Sequence, residues 1–339
     1  MISRIYRLVD TKSIELKLRE LQFYDDSILV KPDHMTICAA DQRYYLGQRK
    51  KEVLRQKLPM ALIHEATGTV LHDFSGKITK GSKVVLVPLQ EGSGDANIKG
   101  NYRYSSTFAS SNTDGFLCDL IVLPTNRVVS IKGEYTIIYA FTELLSVAIN
   151  ALQAFEATRR TDIDSFGVWG DGNMGFIMSL ILRCKYPESR IYVFGKTPRK
   201  LLKFSFATKT FYVDQIPDGF SVSHGFECVG GLRSEGAIKQ MVDMITPQGV
   251  LNLLGVSEEA VLIDTRLILE KGLLLAGSSR SDYNDFCEAA SLISENEVCR
   301  KYLQILISEI IEVKTEDDIY KAFEQSVLND FKTVIKWAI

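Results

Sequence analysis

The chain has 339 residues, of which 46% are hydrophobic and 24% are charged. This composition is typical of a folded globular protein and excludes a disordered, collagen-like or coiled-coil chain. Its 40 lysines and arginines nearly balance its 42 aspartates and glutamates, and no polybasic block occurs, so the charge favours neither nucleic acid nor an anionic membrane as a partner. A small-molecule ligand is therefore the default expectation. At roughly 150 residues per domain, the length predicts about two domains.

The six cysteines are scattered without short repeated spacings, at positions 38, 118, 184, 228, 287 and 299. This pattern is typical of reduced thiols and argues against a disulfide framework or a clustered four-thiolate zinc lobe. Charges interrupt the apolar residues of the N-terminus, and no later apolar run approaches the ~20 residues of a membrane span. We therefore expect a soluble, cytoplasmic protein with no membrane segment.

Residues 1–144 are predicted to form a β-rich domain. Short alternating segments such as DDSILVKP, GTVLHDF and GSKVVLVP are separated by turn residues. Residues 90–115 contain few aliphatic side chains and many Gly, Ser and Asn residues, so they predict a long surface excursion. Compact domains usually keep an excursion of that length for function.

From residue 145 to 285, strands alternate with helices, beginning with SFGVWG, FIMSLILRCKY and RIYVFG. Such alternation predicts βαβ units and a doubly wound parallel sheet of the Rossmann type. Residues 286–339 predict one or two helices and a closing strand that returns to the first domain. The expected fold class is therefore α/β, with a Rossmann domain joined to a β-rich domain.

A GxGxxG motif made by Gly170, Gly172 and Gly175, with Asn173 and Met174 between the last two, lies between an apolar strand and an apolar helix. The first glycine makes a tight turn, the second lets a pyrophosphate approach the backbone, and the third lets the helix pack on the strand. A glycine-rich turn alone is weak evidence. Because strand, loop, helix and second strand follow in order within ~30 residues, the motif favours dinucleotide binding over a purely structural turn.

The residues that follow the second strand indicate which dinucleotide binds. An NAD site usually has an acidic residue there, about 20 residues beyond the motif, to bind the ribose hydroxyls. This chain has Gly195, followed by Lys196, Thr197 and Arg199, whose charges and hydroxyl suit a 2′-phosphate. The pattern predicts NADPH, although residues 196–200 are also compatible with the solvated start of a helix.

Four residues of the first domain are candidate metal ligands: Cys38, the adjacent pair His64 and Glu65, and Glu143. A thiolate, an imidazole and a carboxylate suit tetrahedral Zn²⁺. Each also has a structural explanation, as a buried thiol, a core histidine or a carboxylate at a helix start. Because neighbouring residues on a regular strand point to opposite faces, His64 and Glu65 can share an ion only where the backbone is irregular.

Several motifs occur in a defined order: C-A-A-D at 38–41, H-E-A-T-G at 64–68, K-G-S-K-V at 80–84, T-E-L-L-S at 142–146 and the GxGxxG loop. Together they resemble the zinc-dependent medium-chain dehydrogenase/reductase family over nearly the whole chain. The resemblance implies a GroES-like catalytic domain beside the Rossmann domain. It also implies one catalytic zinc near Cys38, His64, Glu65 and Glu143. One of the two glutamates is either a direct ligand or a neighbour of the ion. We expect one carboxylate to exchange with water or substrate.

The chain departs from the family pattern in two ways that matter. Residues 90–115, where the family carries a four-cysteine structural zinc lobe, contain no cysteine, so we expect no second zinc. Ala40 stands where many members have a serine or threonine that relays the alcohol proton, so the relay must run differently.

Segments such as CAADQRYY, WGDGNMG and FECVGG resemble the branch of the family that reduces ribulose 5-phosphate with NADPH during CDP-ribitol and teichoic-acid synthesis. The resemblance implies that turns containing Gly255, Ser278 and Arg280 lie beside the nicotinamide. It further implies a homodimer whose product, ribitol 5-phosphate, passes to a cytidylyltransferase.

A sugar-phosphate substrate needs a cation near the catalytic cleft. Arg43, two residues after Asp41, is the first candidate, followed by Arg103 and Lys57. Surface cations of this kind are often merely solvated.

Two other functions are compatible with the sequence. One is an NAD(P)-dependent polyol or alcohol dehydrogenase that acts on a neutral sugar alcohol with the same zinc chemistry. The other is a non-catalytic NADPH-binding sensor without metal, which would leave Cys38, His64 and Glu143 without a shared purpose.

Overall fold

The structure, a computed structural model, describes residues 1–159 and 164–339. The strands of these residues are β1 (Ile2–Asp10), β2 (Ser13–Glu20), β3 (Ser27–Thr36), β4 (Met60–Ala61), β5 (Glu65–Asp73), β6 (Lys83–Leu86), β7 (Leu89–Gln90), β8 (Thr107–Phe108), β9 (Ile121–Pro124), β10 (Val128–Ser130), β11 (Ser165–Trp169), β12 (Arg190–Gly195), β13 (Lys209–Tyr212), β14 (His224–Glu227), β15 (Val250–Leu253), β16 (Leu274–Gly277), β17 (Ile307–Val313) and β18 (Lys332–Trp337).

The α-helices of the described residues are α1 (Ala39–Tyr45), α2 (Lys51–Lys57), α3 (Thr142–Glu156), α4 (Asn173–Lys185), α5 (Pro198–Leu201), α6 (Ser234–Met244), α7 (Thr265–Lys271), α8 (Tyr283–Glu295), α9 (Glu297–Leu303) and α10 (Glu316–Leu328). The chain divides into two compact units. The first comprises Met1–Ser146 and Ser281–Ile339, and the second comprises Val147–Arg280.

The first unit is built on a mainly antiparallel sheet with the strand order β10-β6-β5-β3-β18-β17, to which β9 adds by pairing with β3. Its buried side chains are rich in β-branched and aliphatic residues, among them Ile28, Val30, Val70 and Val84, which suit a pleated surface. β18 pairs antiparallel with β3, with Val334 opposite Thr36. This pairing places the C-terminal strand of the chain beside the strand that leads to Cys38.

The second unit contains a parallel sheet with the order β13-β12-β11-β14-β15-β16. Counted from β11, this is the 3-2-1-4-5-6 order of a doubly wound dinucleotide-binding sheet. Every residue of β11 is buried, as expected for a strand covered on both faces, and the Trp169 ring stacks on Phe194 with 4.3 Å between centroids. The predicted α/β class with a Rossmann domain is confirmed.

The expectation that no apolar run approaches the length of a membrane span was wrong for one stretch of the chain. Among the described residues, the helical stretch Ile137–Glu156 is long and apolar enough to span a membrane by length and composition, with a mean hydropathy of 1.4. Polar residues such as Thr142, Glu143 and Asn150 interrupt the apolar run and hide its length in the sequence. Since 78% of this window is buried inside the protein, the stretch belongs to the interior, as in the core helix of a soluble protein.

Candidate active site

Cys38 stands between β3 and α1, as the residue that caps the N-terminus of that helix. Its backbone N–H donates a hydrogen bond to Oδ2 of Asp41, three residues later, at 3.1 Å. Asp41 is fully buried, so this bond orients the first turn of α1 from within the core. The Cys-x-x-Asp spacing thus positions the thiol.

His64 and Glu65 approach Cys38 because the backbone before β5 is irregular. Ile63 has a left-handed conformation, with φ at +73°, and β5 begins only at Glu65. A positive φ is unusual for a β-branched residue, so the surrounding structure must hold it. The irregular backbone that His64 and Glu65 need in order to share an ion is therefore present.

The Sγ atom of Cys38, a ring nitrogen of His64 and a carboxylate oxygen of Glu65 all lie within 4.8 Å of one another. His64 and Glu65 are buried, and Cys38 is half-buried. A thiolate, an imidazole and a carboxylate at this spacing fit a Zn²⁺ ion, whose tetrahedral sites use these donors. The residues present therefore suit the metal that the resemblance implies.

Asp41 also orients the imidazole of His64. Its Oδ1 atom lies 3.5 Å from Nδ1 of His64. This makes Nε2 the candidate ligand nitrogen, since metal-bound histidines usually direct their other nitrogen to a carboxylate. Burial opposes protonation of the ring, but Asp41 and Cys38 outweigh it and raise the pKa of His64 well above its usual value.

The end of the 90–115 excursion reaches this group. The hydroxyl of Ser110 donates to Oδ1 of Asp41 at 2.5 Å, and the ring of Phe108 lies 5.6 Å from that of His64. A segment without regular structure over most of its length thus contributes one wall of the candidate site.

Glu65 on β5 is held by two donors, one from the adjacent strand β3 and one from β18 beyond it. Nζ of Lys332, the first residue of β18, lies 2.5 Å from Oε1 of Glu65, and the hydroxyl of Thr36 on β3 donates to Oε2. All three side chains have no more than 2% of their surface exposed. Both oxygens of this carboxylate are therefore engaged by the protein.

Glu143 lies in the first turn of α3 and is buried. It stands outside the 4.8 Å group but within electrostatic range of His64, Glu65 and Lys332. Burial, reinforced by the charge of Glu65, raises the pKa of Glu143 to about 7 against the opposing effects of His64 and Lys332. Such a carboxyl becomes a ready anionic ligand when a cation arrives.

The three cations considered for the substrate phosphate differ in their surroundings. Arg43 lies on α1, half-buried and five residues after Cys38. Arg103 bonds its own loop, donating to the carbonyls of Ile98 and Gly92 at 3.0 and 3.3 Å. Lys57 ends α2 and is half-buried.

The GxGxxG loop has the geometry that its glycines predict. Gly170 has φ of +127°, and a Cβ at Gly175 would lie 1.9 Å from the carbonyl oxygen of Gly170. A Cβ at Gly172 would meet nothing within 4 Å, so this position faces open space. The helix α4 begins directly after Gly172 at Asn173, followed by Met174, and its first N–H groups have no acceptor within the helix.

An aspartate that the sequence did not single out holds the loop after β12. Oδ2 of Asp171, inside the GxGxxG motif, accepts the backbone N–H groups of Lys196 at 2.8 Å and Thr197 at 2.6 Å. A Cβ at Gly195 would lie 2.7 Å from Cβ of Asp171, so glycine is needed there for this approach.

An open cavity of about 560 Å³ lies beside this loop. Its walls include Lys196, Pro198, Tyr212 and Gln215. The neighbouring Arg199 is exposed on α5. The cavity therefore offers a cationic surface at the end of β12.

A buried carboxylate, that of Glu227, connects the turns after β14 and β15. Oε1 of Glu227 accepts the N–H groups of Val229 at 2.7 Å and Gly230 at 2.9 Å, and Oε2 accepts that of Gly255 at 2.9 Å. Glu227 is 1% exposed. It fixes the turn of Gly255 against its neighbour at the carboxyl edge of the sheet.

The two remaining cofactor candidates follow β16. The backbone N–H of Ser278 donates to the carbonyl of Leu253 at 3.1 Å. Arg280 adopts a positive φ of 60°, and its carbonyl accepts from Nδ2 of Asn150 at 3.1 Å. Both residues therefore lie in a turn that hydrogen bonds hold at the same edge of the sheet.

Sequence reasoning missed four residues that organise these sites: Asp41, Asp171, Glu227 and Lys332. Asp41 did carry a signal, since it ends the Cys-x-x-Asp motif. Lys332 carried none, because 267 positions separate it from Glu65.

The fold and the thiolate–imidazole–carboxylate group define a medium-chain dehydrogenase with a GroES-like domain. Residues 24–133 match the family model described as the alcohol dehydrogenase GroES-like domain. The chain is 45% identical over 339 residues to ribulose-5-phosphate reductase 1 of Staphylococcus aureus, with 99% of each chain covered. It is 43% identical to ribulose-5-phosphate reductase of Bacillus spizizenii over the full length of both.

Comparison with solved structures leads to the same family. A crystal structure of TarJ from S. aureus in complex with NADPH superposes with a TM-score of 0.89, at 42% identity and with both chains fully covered. L-idonate 5-dehydrogenase of Escherichia coli, at 18% identity and a TM-score of 0.84, shares the fold over 99% of this chain and 98% of its own. The chain belongs to the ribulose-5-phosphate reductase family of medium-chain dehydrogenases, which confirms the resemblance found in the sequence.

Proposed function

We propose that the protein reduces D-ribulose 5-phosphate to D-ribitol 5-phosphate with NADPH, as a step toward CDP-ribitol for teichoic-acid synthesis. The convergence of Cys38, His64 and Glu65 within 4.8 Å carries the proposal, because it supplies the metal-binding chemistry that this reaction uses. The 38–45% identity to ribulose-5-phosphate reductases over essentially the whole chain supports the choice of substrate.

Cys38 and His64 are proposed to hold a catalytic zinc ion together with Glu143 and Glu65. When bound, zinc withdraws electron density from a ketone carbonyl and stabilises the negative charge that hydride transfer places on its oxygen. Asp41 keeps the ring of His64 oriented, and Cys38 is presented from the start of α1. The burial of His64 and Glu65 strengthens these electrostatic interactions.

NADPH is proposed to bind along the carboxyl edge of the parallel sheet. Gly170, Gly172 and Gly175 shape the loop for its pyrophosphate, and the N-terminus of α4 at Asn173 supplies N–H donors. Lys196 at the edge of the 560 Å³ cavity offers a cation to the 2′-phosphate.

Other groups complete the proposed cofactor contacts. Thr197 and Arg199 add a hydroxyl and a second cation for the 2′-phosphate. The turns that contain Gly255, Ser278 and Arg280 are proposed to flank the nicotinamide, because they end strands on the other side of the β11/β14 switch point.

Arg43 is the proposed partner of the substrate phosphate. It is half-buried and lies on the same short helix that Cys38 caps, so its position is coupled to the metal site. Arg103 is a weaker candidate, because carbonyl groups of its own loop already occupy its guanidinium.

The protein is further proposed to act as a homodimer. β16 ends the parallel sheet, and Leu274 and Leu275 on this edge strand are 48% and 40% exposed. An unpaired edge with exposed apolar side chains is suited to pairing with the same strand of a second copy. Leu274→Asp should then yield a monomer by light scattering, whereas Leu328→Asp, at another exposed position, should not.

A cytoplasmic location and transfer of the product to a cytidylyltransferase complete the proposal. All six cysteines lie in the described part of the chain and are free, as expected in a reducing compartment. The product of the proposed reaction is a sugar-alcohol phosphate, the kind of substrate that a nucleotidyltransferase activates.

The decisive test is NADPH oxidation by the purified zinc-loaded protein with D-ribulose 5-phosphate. We expect turnover that a chelator abolishes and zinc restores, with much lower rates for NADH and for unphosphorylated ribulose. Cys38→Ser should lose activity and zinc together. Cys184→Ser, a half-buried thiol on α4, is the matched control and should retain both.

Absence of turnover with zinc-loaded protein would contradict the named reaction. Equal rates with phosphorylated and unphosphorylated ribulose would instead indicate a polyol dehydrogenase. Tight NADPH binding without bound zinc or turnover would indicate a cofactor sensor.

A further inference from the structure

The buried lysine beside the candidate metal group has no role in the function proposed above. Lys332 is 2% exposed, and its Nζ donates to Oε1 of Glu65 at 2.5 Å and to the carbonyl of Ile37 at 3.3 Å. A buried ammonium is costly unless it is paired, so this contact is a strong constraint on Glu65. Ile37 directly precedes Cys38, which ties the lysine to two sides of the group.

The charges of the group explain why a cation belongs there. The thiolate of Cys38 and the carboxylates of Asp41, Glu65 and Glu143 would carry four negative charges, and Zn²⁺ would supply two positive ones. Lys332 supplies a third positive charge and leaves one negative charge in excess. Without it, the buried centre would have two in excess and would withdraw electron density from a carbonyl less effectively.

The two glutamates also differ in their surroundings. Both oxygens of Glu65 have protein donors, Lys332 and Thr36, from two strands that lie on the same side of β5. A carboxylate engaged by an ammonium is a weaker electron-pair donor to a metal. Glu143 lies instead in the first turn of α3, outside the 4.8 Å group.

We propose that Lys332 is a positioning residue that restrains Glu65 from closing the metal coordination shell and so keeps one position open for the ketose. The proposal rests on the zinc site of the proposed function. It assigns Glu65 as the exchangeable carboxylate, and Lys332 determines how readily it exchanges. Loss of the ammonium would leave Glu65 a buried anion whose nearest compensating charge is the metal.

The test is Lys332→Met in the full-length protein, read by two signals that do not depend on turnover. The first is the rate at which bound Zn²⁺ transfers to a chromogenic chelator, which we expect to fall by about tenfold, the equivalent of about 1.4 kcal/mol, because one more carboxylate must leave the ion before it is released. The second is the visible spectrum of the Co²⁺-substituted protein, whose bands should shift because Glu65 has become a permanent ligand. NADPH oxidation should fall in parallel.

Three variants make the test specific. Lys336→Met removes a lysine of the same strand that pairs with exposed Glu312, and it should match wild type. Lys332→Arg keeps the positive charge and should release Zn²⁺ at the wild-type rate. In a Glu65→Gln background, Lys332→Met should change neither signal further, because the carboxylate through which it acts is gone.

Unchanged or faster Zn²⁺ release from folded Lys332→Met, with an unchanged Co²⁺ spectrum, would overturn the proposal. Should that variant not fold, Thr36→Val frees the other oxygen of Glu65 at little steric cost and must slow release as well. Its failure to do so would overturn the proposal equally. Wild-type protein that binds neither Zn²⁺ nor Co²⁺ would instead contradict the proposed function itself.

Discussion

Oδ1 of Asp41 lies 3.5 Å from Nδ1 of His64, and the other oxygen of the same carboxylate accepts the N–H of Cys38. One fully buried side chain therefore orients two candidate metal ligands that stand 26 positions apart in the sequence. Oδ1 of Asp41 is itself held by the N–H of Ile63 at 3.0 Å and by the hydroxyl of Ser110 at 2.5 Å. This arrangement makes Asp41 the residue whose loss should loosen the site most broadly.

Asp41→Asn is expected to lower Zn²⁺ affinity by roughly 10–100-fold, because the amide cannot accept all of these hydrogen bonds and no longer carries the charge that orients His64. Chelator competition measures the effect. Asp25→Asn, an exposed position before β3, is the control and should bind Zn²⁺ as wild type does. Equal affinities for the two variants would show that Asp41 does not support the ligands.

Two glycines of the same loop should separate cofactor binding from folding. Gly175→Ala puts a methyl group 1.9 Å from the Gly170 carbonyl, so we expect a loss of about 1–3 kcal/mol in the free energy of unfolding. Gly172→Ala meets no atom within 4 Å and should leave stability unchanged. It should nevertheless weaken NADPH binding by at least about tenfold, the equivalent of about 1.4 kcal/mol, because the methyl group occupies the space proposed for the pyrophosphate.

Thermal unfolding and fluorescence titration with NADPH measure these two effects. The opposite pattern, a destabilised Gly172→Ala protein or one that binds NADPH normally, would contradict the proposed position of the pyrophosphate.

Asp171→Asn should reduce the preference for NADPH over NADH. The carboxylate holds the backbone of Lys196 and Thr197, and hydrogen bonds to charged groups contribute about 1.5–3 kcal/mol each. A loosened loop presents its cation less well to the 2′-phosphate, so the KM for NADPH should rise more than that for NADH. Asp218→Asn, exposed in the same unit, should leave the ratio unchanged, and an unchanged ratio in Asp171→Asn would refute the role.

Glu227→Gln should weaken binding of the nicotinamide half of the cofactor. The amide has one acceptor oxygen, so either Gly255 or the turn at Val229 and Gly230 loses its partner. NADPH should bind roughly tenfold more weakly, the equivalent of about 1.4 kcal/mol, while adenosine 2′,5′-bisphosphate, which lacks nicotinamide, should bind as before.

Glu235→Gln on α6 provides the control for this comparison, since its carboxylate accepts only an exposed backbone N–H from Leu262 at 3.2 Å. If Glu227→Gln weakens both ligands alike, the carboxylate stabilises the unit as a whole and does not position one half of the site.

The stability of the metal-free protein should depend on pH through Glu143. Because its pKa rises from 4.5 to about 7 on folding, the folded protein binds a proton that the unfolded chain has released within this interval. Its contribution to stability therefore falls as pH increases from about 4.5 to about 7, by up to roughly 3 kcal/mol.

The Glu143→Gln protein, whose amide does not titrate, should not show this decrease in stability with increasing pH. Urea unfolding of both metal-free proteins at pH 5 and pH 8 measures the difference. Parallel changes in the two free energies of unfolding would show that Glu143 does not titrate in this range.

Local patterns in the sequence were enough to predict the architecture. The alternation of strands and helices after residue 145 predicts the parallel sheet because covered strands need continuous apolar runs, as in β11. The glycines at 170, 172 and 175 predict a phosphate-binding turn because each answers a steric requirement within a few residues. The donor types of Cys38, His64 and Glu65 likewise predict metal chemistry, since ligand preference belongs to the side chain itself.

Tertiary structure decided how these groups are held. The left-handed Ile63 brings the adjacent His64 and Glu65 into one group of candidate ligands, and no side-chain pattern in the sequence predicts that backbone angle. Lys332 reaches Glu65 across 267 positions, and Ser110 reaches Asp41 across 69. Spacing along a chain determines contacts only within a turn, helix or strand. The partners that orient and neutralise the candidate site come from separate elements, and only the pairing of β3, β5 and β18 brings them together.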